Sequence, residues 1–164
     1  MHGVQVIRAA LDDVHVELRG ALADLDPEIL FWQPGPDVNH AGFILWHLVR
    51  DEDSVVSHTS RQTEIWNDGG WAARLKIETV EATLPAHAAS DLRYNLPGFL
   101  EYAEAVWSSS VQRLGALSDD DLDSPAWPGW TVARHLVEGC IGHSWLHLGE
   151  IRYLLGLRGW RSRE

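Results

Sequence analysis

Residues 142–155, GHSWLHLGEIRYLL, decide how this chain is read. Leu146, Leu148, Ile151, Leu154 and Leu155 recur at helical spacing, so the stretch is expected to be a helix. His143 and His147 are then four residues apart and project from one face of it. A second stretch, residues 39–58 or NHAGFILWHLVRDEDSVVSH, is apolar nearly all round over its first half, which predicts a deeply buried helix carrying His47. Asp37 or Asn39 is the expected N-cap of that helix.

Two further helices complete the pattern. One spans about residues 4–24, with Val4, Ile7, Leu11, Val14, Leu18 and Leu22 on a single stripe. The other runs over about residues 97–117, with Pro97 in its first turn and a stripe of Leu100, Ala103, Val106, Trp107, Leu114 and Leu117. The last helix is expected from Thr131, its N-cap, to about Leu155, before Gly156 and Gly159. No strand alternation is convincing and no internal repeat is visible. Residues 59–96 are weakly patterned, and 38 residues is long for a bundle loop, so short helical turns or a lid are expected there. The architecture that follows is a single all-α domain over residues 1–164, a four-helix bundle with a long crossover between its second and third helices.

Composition narrows the function. With 24 acidic and 13 basic residues the formal charge is -11, which repels a phosphate backbone and argues against nucleic acid as a partner. The basic cluster RGWRSRE at residues 158–164 reads as a solvated tail. No apolar run reaches the roughly 20 residues that span a bilayer, and the N-terminal stretch has acids but no basic leader region. No membrane association and a cytoplasmic location are therefore expected. Cys140 is the only cysteine, which excludes an intrachain disulfide and a Cys-rich zinc site. Nine tryptophans suggest a pocket or interface with large aromatic walls, although core filling explains them equally well. Trp46, Trp71, Trp107 and Trp145 are the wall candidates.

At about 100° per residue, His40, Ile44, His47, Asp51, Val55 and His58 share one stripe of the second helix. Val132, Leu136, Cys140, His143, His147, Glu150 and Leu154 share one stripe of the last. Polar groups thus interrupt apolar stripes, a placement that costs free energy unless they are paired or coordinated. If the helices pack together, His47, His143 and His147 can converge on one divalent metal with coordination positions left open, as in catalytic sites. Hydrogen-bonded core histidines are the competing reading. Ser144 follows His143, so this is not the H-E-x-x-H motif with its built-in base. Glu150, one turn beyond His147, reads as an outer acceptor or occasional fourth ligand, and Asp51 has the same readings with respect to His47; an ordinary surface ion pair is the alternative for each. Cys140 reads as a small buried hydrophobe or a group facing the metal. His40 and His58, seven and eleven residues from His47, lie too far along the axis to bind the same ion.

The stretches NHAGFILWHLVRDED (39–53), IWNDGGWAARL (65–75), GWTVARHLVEG (129–139) and GHSWLHLGEIRYLLGLRG (142–159) resemble, in order, the DinB/YfiT-like superfamily, in a branch related to mycothiol-dependent maleylpyruvate isomerase. The resemblance implies a four-helix bundle whose metal is held by one histidine of the second helix and an H-x3-H pair of the last, here His47, His143 and His147. Imidazole ligation suits Zn²⁺, and also Ni²⁺, Fe²⁺ or Mn²⁺. The implied activity is metal-dependent transfer or isomerisation with a low-molecular-weight thiol such as mycothiol or bacillithiol and a small-molecule substrate. A hydrolase using a metal-bound water, and a non-catalytic metal- or ligand-binding bundle of a stress response, are the alternatives. Relatives often pair through bundle helices, so a homodimer is expected.

Overall fold

The structure, a computed structural model, describes residues 2–23, 25–36, 38–77 and 86–161. Its frame is four long helices: α1 (Gly3–Leu22), α3 (Ala41–Ser60), α7 (Leu96–Gly115) and α9 (His143–Leu157). Between them lie α2 (Pro27–Leu30), three short crossover helices α4 (Ile65–Asp68), α5 (Trp71–Leu75) and α6 (Ala86–Asp91), and α8 (Val132–Leu136) leading into α9. α3 packs against α7 and α9, and α1 packs against the same two helices. The all-α bundle with its long α3–α7 crossover is thus as expected, and the crossover contains short helical turns. No helix among the described residues is long and apolar enough to cross a membrane.

The α1 stripe is the buried one, from Val4 through Leu22. On α7 the buried line runs through Phe99, Tyr102, Ala103, Val106, Trp107 and Leu114, while Leu100 and Leu117 sit at its edge. α7 begins one residue before Pro97, because the Asn95 side chain accepts from the Gly98 amide at 2.9 Å. Thr131 caps α8, as expected, by accepting from the Arg134 amide. α9 ends in a Schellman motif: the Trp160 amide donates to Leu155 O and the Gly159 amide to Gly156 O, with Gly159 at φ +86.

The N-cap of α3 is His40, not Asn39; Asp37 lies outside the described residues, as do residues 78–85 of the crossover and 162–164 of the basic tail. His40 Nδ1 accepts from the Phe43 amide at 2.9 Å, so an imidazole does the work usually given to Asn or Ser. Burial, and after it the Arg93 guanidinium, push the His40 pKa down from 6.5 to about 4. The unfolded chain therefore binds the extra proton first as pH falls. The resulting stability is fully present above pH 6.5 and is lost as pH falls toward about 4. Allowing for solvent screening, this loss is about 2 kcal/mol. Denaturant titrations at pH 7 and 4.5 should show it in the wild type and not in His40→Asn, which caps without titrating. Equal losses in both proteins would refute the assignment.

The described chain contains one small hairpin that the sequence reading did not anticipate. Strands Pro125–Trp127 and Trp130–Thr131 pair antiparallel around Pro128-Gly129, with Gly129 at φ +80. Pro followed by a positive-φ Gly is the signature of a type II turn, and the aromatic residues on either side suit a strand pair. In the sequence this segment closes the acidic stretch SDDDLDSPAWPGW, residues 118–130, which on its own reads as a turn before the last helix.

Candidate metal centre

α3 contributes His47, and α9 contributes His143 and His147. The Nε2 atoms of His47 and His143 are 3.2 Å apart, and those of His143 and His147 are 2.8 Å apart. One ligand atom from each of the three lies within 4.8 Å of the others, so the group could hold a single metal ion. Two nitrogens bound to one zinc at about 2.0–2.1 Å would be about 2.8–3.4 Å apart for angles between about 90° and 109°. Phe43 stacks beside His47, ring centroids 6.0 Å apart and planes 13° from parallel, which restrains that ring.

The outer contacts give the donors their chemical form. His147 Nδ1 donates to Glu150 Oε2 at 2.6 Å, as anticipated for a residue one turn further along the helix. Asp51 behaves differently from expectation: its carboxylate pairs across the helix interface with His143 Nδ1, at 2.9 Å. With protons on those two Nδ1 atoms, the neutral rings present bare Nε2 lone pairs to each other. At 2.8 Å two lone pairs repel, and a single proton cannot bridge all three nitrogens. A cation at their common focus satisfies them together, so the donor set fits a divalent metal and keeps the carboxylate–histidine arrangement common around such ions.

α9 does not continue α8 in phase. Residues 137–142 form a π-helical segment, Val137–Gly142, which inserts one extra residue and rotates everything after it by about 100°. Before it the buried residues are Val132 and Leu136, within it the adjacent Cys140 and Ile141, and after it Ser144, Leu148, Ile151, Leu154 and Leu155. The uninterrupted stripe expected from periodicity is therefore broken. His143 and His147 are displaced from the core line to its edge, where both rings remain partly exposed. Cys140 stays in the core, 1% exposed, and burial, then Glu52 and Asp51, hold its thiol pKa well above the usual value. It is an inert packing residue.

The triad opens onto a cleft of about 590 Å³. One wall is the α3 line read from the sequence, His47, Asp51, Val55 and His58; Ser54 joins it. His58 is not near the three-nitrogen focus, and its Nε2 instead bonds the Ala126 carbonyl and anchors the hairpin. His40, at the far end of α3, is not part of the cleft lining. None of the four tryptophans proposed as walls is one. Trp46, Trp71 and Trp107 are core residues, and Trp145 is exposed elsewhere. The aromatic wall is Trp127 and Trp130 of the hairpin, together with His135 of α8. The Pro-Gly turn flanked by tryptophans was the available signal for it.

Comparison with known proteins agrees with this architecture. A crystal structure of a conserved protein of a locus from Enterococcus faecalis superimposes with a TM-score of 0.83 at 19% sequence identity, covering 96% of this chain and 97% of that one; at this identity the likeness concerns the fold alone. No curated protein matches the chain. Residues 10–151, which include the bundle and all three histidines, match the DinB superfamily. The chain belongs to the DinB superfamily.

Proposed function

We propose that His47, His143 and His147 hold one divalent metal ion, zinc in the first instance, and that the protein uses it to activate a low-molecular-weight thiol for transfer to, or isomerisation of, a small electrophilic substrate. The observation that carries this reading is the convergence of three Nε2 atoms while Asp51 and Glu150 occupy the Nδ1 atoms of His143 and His147. When bound, the ion supplies Lewis-acid chemistry, stabilising the anionic form of a thiol in its open position. The rest of the site orients and encloses. Asp51 and Glu150 fix ring tautomers, and Phe43 restrains His47. The chain offers no accessible thiol of its own, since its single cysteine, Cys140, is buried with a raised pKa, which agrees with a thiol that arrives from solution.

Hydrolysis by a metal-activated water would need a general base close to the open position. The two carboxylates nearest the triad are already engaged with imidazoles, which favours the thiol reading over the hydrolytic one. Protein purified without a histidine tag should carry about one metal per chain, as expected for a three-imidazole site. After cobalt substitution, its visible spectrum should change on titration with a biological thiol such as mycothiol or bacillithiol, and not with the corresponding oxygen analogue. A spectrum indifferent to every thiol tested would sink the thiol reading and leave only metal binding.

A further inference from the structure

Beyond the three imidazoles, the far end of the cleft is built from four rings. Trp127 and His58 are 5.9 Å apart between centroids, His58 and His135 5.9 Å, Trp127 and His135 6.0 Å, and Trp130 and His135 5.9 Å. Trp127 is 57% exposed there, an apolar surface of the kind that marks a binding site when it rims a concavity. The acids of the cleft are already engaged by neighbouring donors. Asp51 pairs with His143, and Glu138 takes two hydrogen bonds from Arg134, whose guanidinium also lies over Trp130. No lysine or arginine lines the cleft. Burial and the neighbouring His58 lower the pKa of His135, so its ring is neutral near pH 7, and its buried Nδ1 has no hydrogen-bond partner among the described residues.

We infer that this end of the cleft is a subsite for an uncharged, planar aromatic ligand bearing a hydrogen-bonding group such as a hydroxyl, lying against the exposed Trp127 ring and the adjoining Trp130–His135 wall. Stacking surface, the neutral His135 ring and a lining without lysine or arginine among the described residues favour an uncharged group over a carboxylate or phosphate there. The hairpin sets the width of the slot, and His58 fixes the hairpin through the Ala126 carbonyl. Gly139 packs against this wall and lets its rings sit close: a Cβ there would meet His135 Cδ2 at 3.0 Å and the Trp130 ring at 3.5 Å and displace them. As a statement about substrate class the inference rests on the metal-centre reading, because the slot adjoins His47 and His143; as a statement about binding it does not.

Equilibrium dialysis with 2-naphthol and 2-naphthoate tests it on chelator-treated protein, so that no metal can attract the carboxylate. The neutral ligand is expected to bind one site at least tenfold more tightly than the anion. Trp127→Ala should weaken 2-naphthol about tenfold while leaving zinc content and the thermal midpoint unchanged. Gly139→Ala should weaken it as well, by displacing the His135 and Trp130 rings. Equal affinity for the two ligands, or undiminished 2-naphthol binding in Trp127→Ala, would overturn the subsite. Failure of zinc binding with 2-naphthol binding intact would overturn the metal centre instead.

Discussion

His143→Ala should release the metal from the protein. The three rings form a triangle with centroids 4.4–5.0 Å apart, and His143 Nε2 lies 3.2 Å from His47 Nε2 and 2.8 Å from His147 Nε2, so the remaining pair cannot reproduce the site. The loss of affinity should exceed the roughly 10–100-fold that removal of an outer partner costs, which is the range expected for Asp51→Asn or Glu150→Gln. Stability gives a second and sharper readout. In the metal-free protein the Nε2 lone pairs of His143 and His147 face each other at 2.8 Å, and the π-helical rotation has moved His143 off the core line. Its removal should therefore leave the metal-free protein at least as stable as the wild type. With saturating zinc the order reverses, since only the wild type gains binding energy in the folded state. His135→Ala, a cleft residue outside the triad, should keep its metal. Metal content by elemental analysis and thermal midpoints with and without zinc decide the matter, and a His143→Ala protein that retains one zinc per chain would refute the site.

How much of this was legible in the sequence depends on whether local periodicity survives packing. The α1 stripe and the Thr131 cap are local patterns, and both appear as read. The three histidines were legible as residues, since His-x3-His within one helix and a third histidine on a buried helix point to one focus. Their placement was not, because the π-helical insertion is one residue of backbone geometry with no mark in the apolar pattern except Gly139 and Gly142. At Gly142 a Cβ would stand 3.2 Å from the Val137 carbonyl, so the segment favours a residue without one. Asp51 was legible as an acid near His47, but its partner lies on another helix, and one helix seen alone cannot show that. The tryptophans failed for a related reason. Size alone does not separate a core ring from a wall; that depends on the Pro128-Gly129 turn lifting Trp127 and Trp130 over the cleft.

The four consecutive charged residues 50–53, RDED, show most clearly what tertiary context adds, and they give the largest expected effect on stability. Successive side chains on α3 point in different directions. Asp51 reaches His143, and Glu52 pairs with the buried His15 of α1 at 3.0 Å. Arg50 and Asp53 turn toward the crossover. Asp53, 2% exposed, accepts from the Ile65 and Trp66 amides at 2.8 Å each, from the Tyr102 hydroxyl at 2.9 Å and from Arg50 at 3.2 Å. It thereby caps α4 from a neighbouring helix. Burial nevertheless raises its pKa, against the lowering effect of those partners, so the carboxylate is not itself a net gain over water. The cost of removing it lies in what it leaves behind: a guanidinium 3% exposed whose other carboxylate partner is the partly exposed Glu64 at 2.8 Å, a buried hydroxyl and two amides at a helix start. Asp53→Ala should therefore lose about 3–5 kcal/mol, the usual cost of stranding one member of a buried pair. For a chain of this length that lowers the thermal midpoint by roughly 8–15 °C. Amide exchange at Ile65 and Trp66 should accelerate more than exchange in α1. The double variant Arg50→Met/Asp53→Leu should recover more than half of the loss, because it removes the stranded charge along with its partner. Zinc binding should persist in both proteins, since His47 and Asp51 occupy the other side of α3. If the double variant is as unstable as Asp53→Ala, the carboxylate stabilises the fold directly and the stranded-partner account is wrong.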